Sequence, residues 1–177
     1  MSPHNRDIDG RFAQGWGGLA PNGVHVNVLV ARRGTPTAAA ITTAFTSPSP
    51  GFTPVLASLG ADQPSYETLN PPTIILSKSP AVEGAHETMI FGACPVGISQ
   101  AVLDVVAEGL IQADQESIVF VSLWVDTAAT DETAVRLAAR EAAARALREA
   151  ILGRSSEETQ ALVDGRESIT HPYYGGN

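Results

Sequence analysis

The sequence predicts one α+β domain, built as a two-layer sandwich in which helices cover a β-sheet. Segments 24–30 and 117–125 have the period and the β-branched or aromatic composition of strands. Segments 95–108 and 131–152 instead carry apolar residues at the spacing of an amphipathic helix. In chain order the elements are strand, helix, strand, strand, helix, strand, helix, which is typical of a sheet with helices packed on it.

The first clear strand follows a polar N-terminal segment. Residues 1–22 are rich in Gly, Asn and Asp, and we expect them to be loosely ordered or to supply an edge strand near Gln14. The segment Val24 to Val30 has valine at every second position, so one face should be buried. His25 and Asn27 then share the opposite face.

One helix and two further strands are predicted before residue 80. Thr35 followed by Pro36 is typical of an N-cap with proline at the first helical position, so a helix should run to about Phe45. Strands are expected at 53–59 and 73–78, separated by a polar, proline-containing connection.

The second half predicts two long helices around a strand. A helix over 95–108 precedes the strand at 117–125, and an alanine-rich helix follows over 131–152. A capping-box pattern of Ser155 with Glu158 predicts a last short helix. The apolar side of the alanine-rich helix is assigned to Val135, Leu137, Leu147 and Ile151.

Composition and charge place the chain among globular proteins. Apolar residues make up 44% and charged residues 17%, enough to bury a core over a domain at 23–164, followed by a tail at 165–177. Eleven basic against nineteen acidic residues give a net charge of −8, which repels nucleic acid. We therefore expect no nucleic-acid partner.

We expect a cytoplasmic protein without a membrane partner. Apolar runs such as 118–125 are too short to cross a bilayer. The first twelve residues are polar and charged where a signal peptide would need an apolar stretch.

Two side chains stand out as candidates for chemistry, His25 and Lys78. His25 lies on the sheet face away from the valines, and Lys78 ends an apolar strand. Both patterns are, taken alone, more typical of a solvated sheet face and of a chain returning to water. The residues leave these alternatives open.

Cys94 is the single cysteine, which excludes an internal disulfide and a cysteine-based zinc cluster. It is predicted to lie in a turn that leads into a helix, where a helix N-terminus would lower its pKa. A buried, inert thiol is the favoured alternative. His86 and Glu87 are adjacent and share no helix face, so we assign no metal site.

A series of short motifs, at nearly the same spacings, resembles the formaldehyde-activating enzyme family over residues 22–173. In chain order the motifs are Val24-His25-Val26-Asn27, Arg33-Gly34-Thr35-Pro36, Gly51-Phe52-Thr53, Lys78, Phe91-Gly92, Glu108-Gly109-Leu110-Ile111 and His171-Pro172-Tyr173.

This resemblance implies a fold similar to the second domain of ribosomal protein S5, in a homopentamer with active sites at subunit interfaces. It implies a lyase that condenses formaldehyde with tetrahydromethanopterin, a co-substrate and not a bound cofactor, to a methylene adduct and water. The site residues that it implies are His25 as the catalytic histidine and five binding positions. The binding positions are Asn27, Leu56, Lys78, Pro80 and Pro95.

Three of those binding positions depart from the family. Asn27 stands in place of an aspartate, Pro80 in place of a threonine and Pro95 in place of a glutamine. Each change removes a charge or a hydrogen-bond donor that a pterin could use. The resemblance as a whole still implies condensation of formaldehyde with an amine, with His25 as general acid. The alternatives are action on another amine or aldehyde, or non-catalytic binding of an aldehyde or pterin.

Overall fold

The computed structural model describes residues 6–176 as a five-stranded mixed sheet with two long helices packed on one face. The strands are β1 (Arg11–Gly17), β2 (Val24–Arg32), β3 (Val55–Leu56), β4 (Ser58–Leu59), β5 (Glu67–Thr68), β6 (Thr73–Ser77) and β7 (Ser117–Val125). The helices are α1 (Pro36–Thr46), α2 (Ala85–Thr88), α3 (Cys94–Ala107), α4 (Glu132–Leu152) and α5 (Ser156–Asp164). The predicted α+β class is confirmed.

The sheet order is β1-β2-β7-β6-β3, with β6 and β7 parallel and the other neighbours antiparallel. In this register His25 on β2 lies opposite Trp16 on β1 and opposite Trp124 on β7. Facing residues in adjacent strands point to the same side of a sheet. The histidine therefore lies between two tryptophan positions in the sheet.

The first face of the sheet carries the predicted valine core. The four alternating valines of β2 are buried together with the apolar residues of β7, and α3 and α4 close over them. The buried residues of the two strands are Val24, Val26, Val28, Val30, Val119, Val121, Leu123 and Val125.

The contact between β1 and α4 is made by glycine and alanine. A Cβ atom added at Gly15 or Gly17 would lie 2.1 Å from the carbonyl oxygen of Ala142 or Ala138, so only glycine allows the strand and helix backbones this close. The alanines of α4 thus carry much of its buried side. Placing Leu137 on that side was wrong, because this side chain is 51% exposed.

The second face of the sheet is covered only in part. Helix α1, capped by Thr35 as predicted, packs Ala38 and Ile41 over one half of this face. The other half holds His25 and Trp124 and is not covered by α1. A functional cleft can therefore open here.

The helix predicted at 95–108 is part of a longer one. Residues 85–107 are helical throughout, with a π-helical turn at Met89–Ala93 between α2 and α3. Pro95 follows that turn, where the widened hydrogen-bond pattern accommodates a residue without an N–H. The placement of Cys94 in a turn was accordingly wrong.

The same helix is long and apolar enough to cross a membrane by length and composition alone. More than half of its most apolar window is buried in the protein. Its residues Ile98, Val102 and Val105 pack in the valine core, which is the position of a core helix.

The strand predicted at 53–59 is divided at Ala57. The N–H group of Ala57 donates to the carbonyl of Thr73, and its own carbonyl accepts from Leu69. Strand β3 consequently pairs with β6 in the main sheet, while β4 pairs with β5 in a separate two-stranded ribbon.

Candidate active site

A cleft of about 530 Å³ opens on the uncovered half of the second sheet face. Its floor comes from the sheet and one wall comes from the chain that follows α5. The lining residues are Trp16, His25, Lys78, Trp124, His171, Pro172 and Tyr173.

Three strands position the floor of the cleft. Because β2 lies between β1 and β7, His25 is held between Trp16 and Trp124. The two indole rings lie 6.1 Å apart between centroids and are tilted by 31°. Trp16 also donates from its indole N–H to the carbonyl of Gly18 at 3.0 Å, which fixes the ring at the edge of the sheet. The imidazole is thereby placed among apolar ring surfaces.

Lys78 reaches His25 from the far side of β7. It immediately follows β6, and its backbone N–H donates to the carbonyl of Leu123 at 2.7 Å. The Nζ atom lies 2.5 Å from Nδ1 of His25. Two residues 53 positions apart in the chain thus form one hydrogen-bonded pair.

The hydrogen bonds fix which nitrogen of His25 carries the proton. A lysine ammonium can only donate, so Nδ1 of His25 accepts from Lys78. The Nε2 atom lies 3.0 Å from Oε1 of Gln14, an acceptor, and therefore carries the hydrogen of the neutral ring.

The surroundings disfavour positive charge on this pair. Burial, and after it the charge of Lys78, hold the pKa of His25 below its ordinary value. Burial alone lowers the pKa of Lys78. Near neutral pH the imidazole is therefore neutral, and the acidic proton of the pair is on the lysine.

A second cleft, of about 350 Å³, meets the first at Lys78. It lies between the end of α1 and the end of β6, and Phe52, Leu76 and Ser122 contribute to its walls. Lys78 borders both clefts, so its side chain can be approached from two sides.

The other predicted binding residues do not line the cleft within one chain. Asn27 is exposed on β2, two residues beyond His25. Leu56 packs against the cluster beneath α1, and Pro80 is exposed after the end of β6. Pro95 lies in the helix on the opposite face of the sheet. Their binding roles stay predictions.

Sequence reasoning missed Gln14, Trp16 and Trp124 as site residues. The alternation of glycine with larger residues in β1 placed Gln14 and Trp16 on one face, but the partner strand was not known. His171 and Tyr173 belong to a motif that the sequence analysis quoted without assigning it to the site. Their position in the same cleft as His25 could not be predicted, because they lie far from it in the chain.

Cys94 and His86 are structural. The Cys94 thiol is buried, as the favoured alternative predicted, and burial raises its pKa to about 12. His86 accepts a hydrogen bond from the N–H of Val82 at Nδ1 and lies 3.1 Å from the carbonyl of Val125 at Nε2. Within residues 6–176 no cluster of three His, Cys, Asp or Glu side chains could hold a metal ion.

The sequence profile of the family described as formaldehyde-activating enzyme (Fae) matches residues 17–174 of the chain. The chain belongs to this family. The resemblance found in the short motifs is thereby confirmed. Most of the domain and all residues of the aromatic cleft except Trp16 fall within the matched range.

Members of the family are similar to this chain at moderate identity. A 5,6,7,8-tetrahydromethanopterin hydro-lyase of Methanosarcina barkeri is 29% identical over 158 residues, covering 88% of this chain and 85% of that protein. A bifunctional enzyme Fae/Hps of Methanococcoides burtonii is 30% identical over 116 residues, which cover 64% of this chain. The chain matches only 28% of the length of that bifunctional enzyme.

Proposed function

We propose that the protein is a carbon–oxygen hydro-lyase that condenses formaldehyde with an amine to a methylene adduct and water. Tetrahydromethanopterin is the first candidate for the amine, because the hydro-lyase similar to this chain is named for it. The observation that carries the proposal is the hydrogen-bonded pair of His25 and Lys78 in an aromatic cleft.

The reaction needs an acid at one step. An amine adds to formaldehyde to give a carbinolamine, which must lose hydroxide to become an iminium. Hydroxide is a poor leaving group, so a positioned acid accelerates its departure, typically by about 10² to 10⁴. A second amine of the acceptor then closes the ring and releases a proton.

The pair of His25 and Lys78 supplies that acid. When the proton moves from Nζ to Nδ1 across the 2.5 Å contact, His25 becomes an imidazolium beside the substrate. Burial disfavours the positive charge on either partner, so the proton is released more readily than by either side chain in water. His25 is thus the general acid, and Lys78 is its proton source.

The aromatic walls suit a flat, partly apolar acceptor. Trp16 and Trp124 offer ring faces on which a planar heterocycle can stack. A volume of about 530 Å³ is in the range of ordinary small-molecule sites, roughly 300–1,000 Å³.

We also propose that the protein works in the cytoplasm as a homopentamer. Large apolar side chains are exposed in the single chain, as expected of an interface. They are Phe12 at 76%, Leu19 at 85% and Tyr173 at 90%. In such an assembly Pro80 and Pro95 could meet the cleft of a neighbouring subunit, and native mass spectrometry of the protein would test the oligomer.

The direct test is the loss of free formaldehyde at neutral pH, with and without tetrahydromethanopterin, against the uncatalysed rate. Wild-type protein should accelerate the loss only when the pterin is present. The variants His25→Ala and His25→Gln should both lose about 10² or more of the acceleration, because neither side chain can donate a titrating proton. Circular dichroism should show both variants folded, since His25 is only partly buried.

Three outcomes would redirect the proposal. Full activity in His25→Ala would remove its role as acid. No acceleration with the pterin, but acceleration with another primary or secondary amine, would show that the changes at Asn27, Pro80 and Pro95 altered the acceptor. Saturable binding of the pterin without turnover would indicate a binding protein.

A further inference from the structure

We infer that Lys78 is a covalent catalyst, whose side-chain amine takes up formaldehyde as an iminium and passes the carbon to the acceptor amine. This inference rests on the proposed function, but it concerns a different step. In the simpler reaction the acceptor attacks free formaldehyde, whereas here Lys78 makes the first carbon–nitrogen bond.

The composition of the chain singles out this amine. Ten of the eleven basic residues are arginines, and Lys78 is the only lysine in the sequence. A guanidinium stays protonated at any physiological pH and offers no free amine. The one lysine side chain of the protein is therefore the one that borders both clefts and contacts His25.

The geometry around Nζ meets the needs of a nucleophilic lysine. Such a lysine must lose its proton, and Nδ1 of His25 lies 2.5 Å away as an acceptor. Partial burial among Trp16, Trp124 and the end of β6 lowers the pKa of Lys78, which enlarges the fraction of free amine.

The capture step balances in atoms and charge. The ammonium of Lys78 gives a proton to Nδ1 of His25, and the freed lone pair attacks the carbonyl carbon of formaldehyde. The proton lost from the new ammonium passes to the oxygen, giving a neutral carbinolamine. The imidazolium of His25 then protonates the hydroxyl group, the carbon–oxygen bond breaks, and water leaves a methylene iminium on Nζ.

The transfer step restores the lysine. The acceptor amine attacks the iminium carbon and passes its proton to Nζ, and the bond from that carbon to Nζ then breaks with its electron pair on Lys78. The carbon remains as an iminium on the acceptor, whose second amine closes the ring and releases one proton to Nζ. Because Lys78 borders two clefts, formaldehyde and the acceptor can reach the same atom from different sides.

The test is reductive trapping of the full-length protein with formaldehyde and sodium cyanoborohydride at pH 7, followed by peptide mass spectrometry. The α-amino group and Lys78 are the only primary amines of the chain, so each preparation contains its own reference. An ordinary lysine, with a pKa of about 10.4, has roughly two- to four-hundredfold less free amine at this pH than an α-amino group. Relative to the α-amino group, Lys78 in the folded protein should be methylated faster than an ordinary lysine would be.

Unfolding and one substitution provide matched controls. In guanidinium chloride Lys78 should be trapped more slowly than in the folded protein, because unfolding removes the burial that lowers its pKa. The variant His25→Ala should slow trapping at Lys78 and leave the α-amino group unchanged. Trapping that is no faster in the folded protein than in the unfolded one would overturn the inference.

The trapping result separates this inference from the proposed function. Condensation that proceeds with no adduct on Lys78 would overturn covalent capture but would not affect the proposed lyase activity. Rapid trapping without condensation would support capture of an aldehyde by Lys78 and contradict the proposed lyase activity. The variant Lys78→Arg keeps the charge without a free amine, and it should lose both the adduct and the condensation.

Discussion

The chemistry of the cleft depends on how two ordinary side chains change each other. His25 and Lys78 would each be unremarkable on a sheet surface, and the sequence left that interpretation open. Their contact puts two basic groups within hydrogen-bonding distance in a partly buried cleft. The proton that they share is thereby made more acidic, because burial opposes the charge on both groups.

The pKa of His25 should respond to the charge of Lys78. We expect Lys78→Met to raise it, since the repulsion from the ammonium is lost, but not to its ordinary value, since burial stays. Lys78→Arg keeps the charge and should leave the pKa low. NMR titration of the imidazole would measure both variants, and an unchanged pKa in Lys78→Met would contradict the assigned cause.

The same shift gives a sign to the dependence of stability on pH. The pKa of His25 is lower in the folded protein than in the unfolded chain, so the unfolded chain binds more protons between the two values. The free energy of unfolding should therefore be highest above the pKa of His25 in the unfolded chain. It should fall as the pH drops from that value through the lower pKa of the folded protein.

At this scale the sequence predicted the residues but not their contact. The alternation of β2 placed His25 on the face away from the valines, and Lys78 was assigned to a strand end. The contact depends on β7 lying between β2 and β6, and pairing of distant strands has no local signal. Trp124 lies opposite His25 only through that same pairing.

The elements owe their positions to small residues as much as to large ones. Glycines of β1 and alanines of α4 bring a strand and a helix into backbone contact. This contact holds β1 beside β2 and so places Gln14 and Trp16 next to His25. The glycines of β1 thus help to position the site, because they allow the strand to pack closely on α4.

The helical segment 85–107 offers a matched pair of glycines for testing close packing. A Cβ atom at Gly97 would lie 2.2 Å from the carbonyl oxygen of Arg136 in α4, whereas one at Gly92, in the preceding π turn, would meet nothing within 4 Å. We expect Gly97→Ala to lower the free energy of unfolding by about 1–3 kcal/mol through overpacking. Gly92→Ala should raise it by about 0.5–1 kcal/mol, because alanine loses less backbone entropy in a helix.

Chemical denaturation of the two variants would measure this difference. Equal effects of the two substitutions would contradict the close approach of α3 and α4. The binding of substrates should be less affected than stability, since both glycines lie outside the aromatic cleft.

The sequence located most elements well because their signals are local. The N-cap at Thr35, the capping box at Ser155 and the pattern of β7 were all found as predicted. The start of the long helix near Ala85 was missed because Gly84 provides no side-chain cap. The break at Ala57 was missed because its cause is hydrogen bonding to Thr73, far along the chain.

Across the whole molecule, the cleft is assembled from both ends of the chain. The floor begins with Trp16, and a wall is formed by residues that follow α5. The part of the chain after Leu152, through α5 to residue 176, contributes no buried residue to the core. The terminal segment therefore contributes to the wall of the cleft and not to the hydrophobic core.

Removal of residues 170–177 should change the cleft and spare the fold. The chain contains two tryptophans, Trp16 and Trp124, and both line the cleft. We expect the truncated protein to show red-shifted tryptophan emission and stronger quenching by acrylamide, because His171, Pro172 and Tyr173 no longer line the cleft beside the rings. Its free energy of unfolding should stay within about 0.5 kcal/mol of wild type, as for other surface changes.

Unchanged emission in that truncated protein would contradict the packing of the terminal segment on the cleft. The substitution Tyr174→Ala is a suitable control, since Tyr174 is a neighbouring aromatic residue that does not line the cleft. It should leave both the emission and the quenching unchanged.

The position of β7 in the middle of the sheet has a consequence for synthesis on the ribosome. Strand β7 lies between β2 and β6 in space, yet it follows both of them in the chain. The nascent chain therefore leaves the edge of β2 that pairs with β7 exposed until residue 125 has left the exit tunnel. Folding of this sheet is completed late in translation, and the emerging strands depend on protection from aggregation until then.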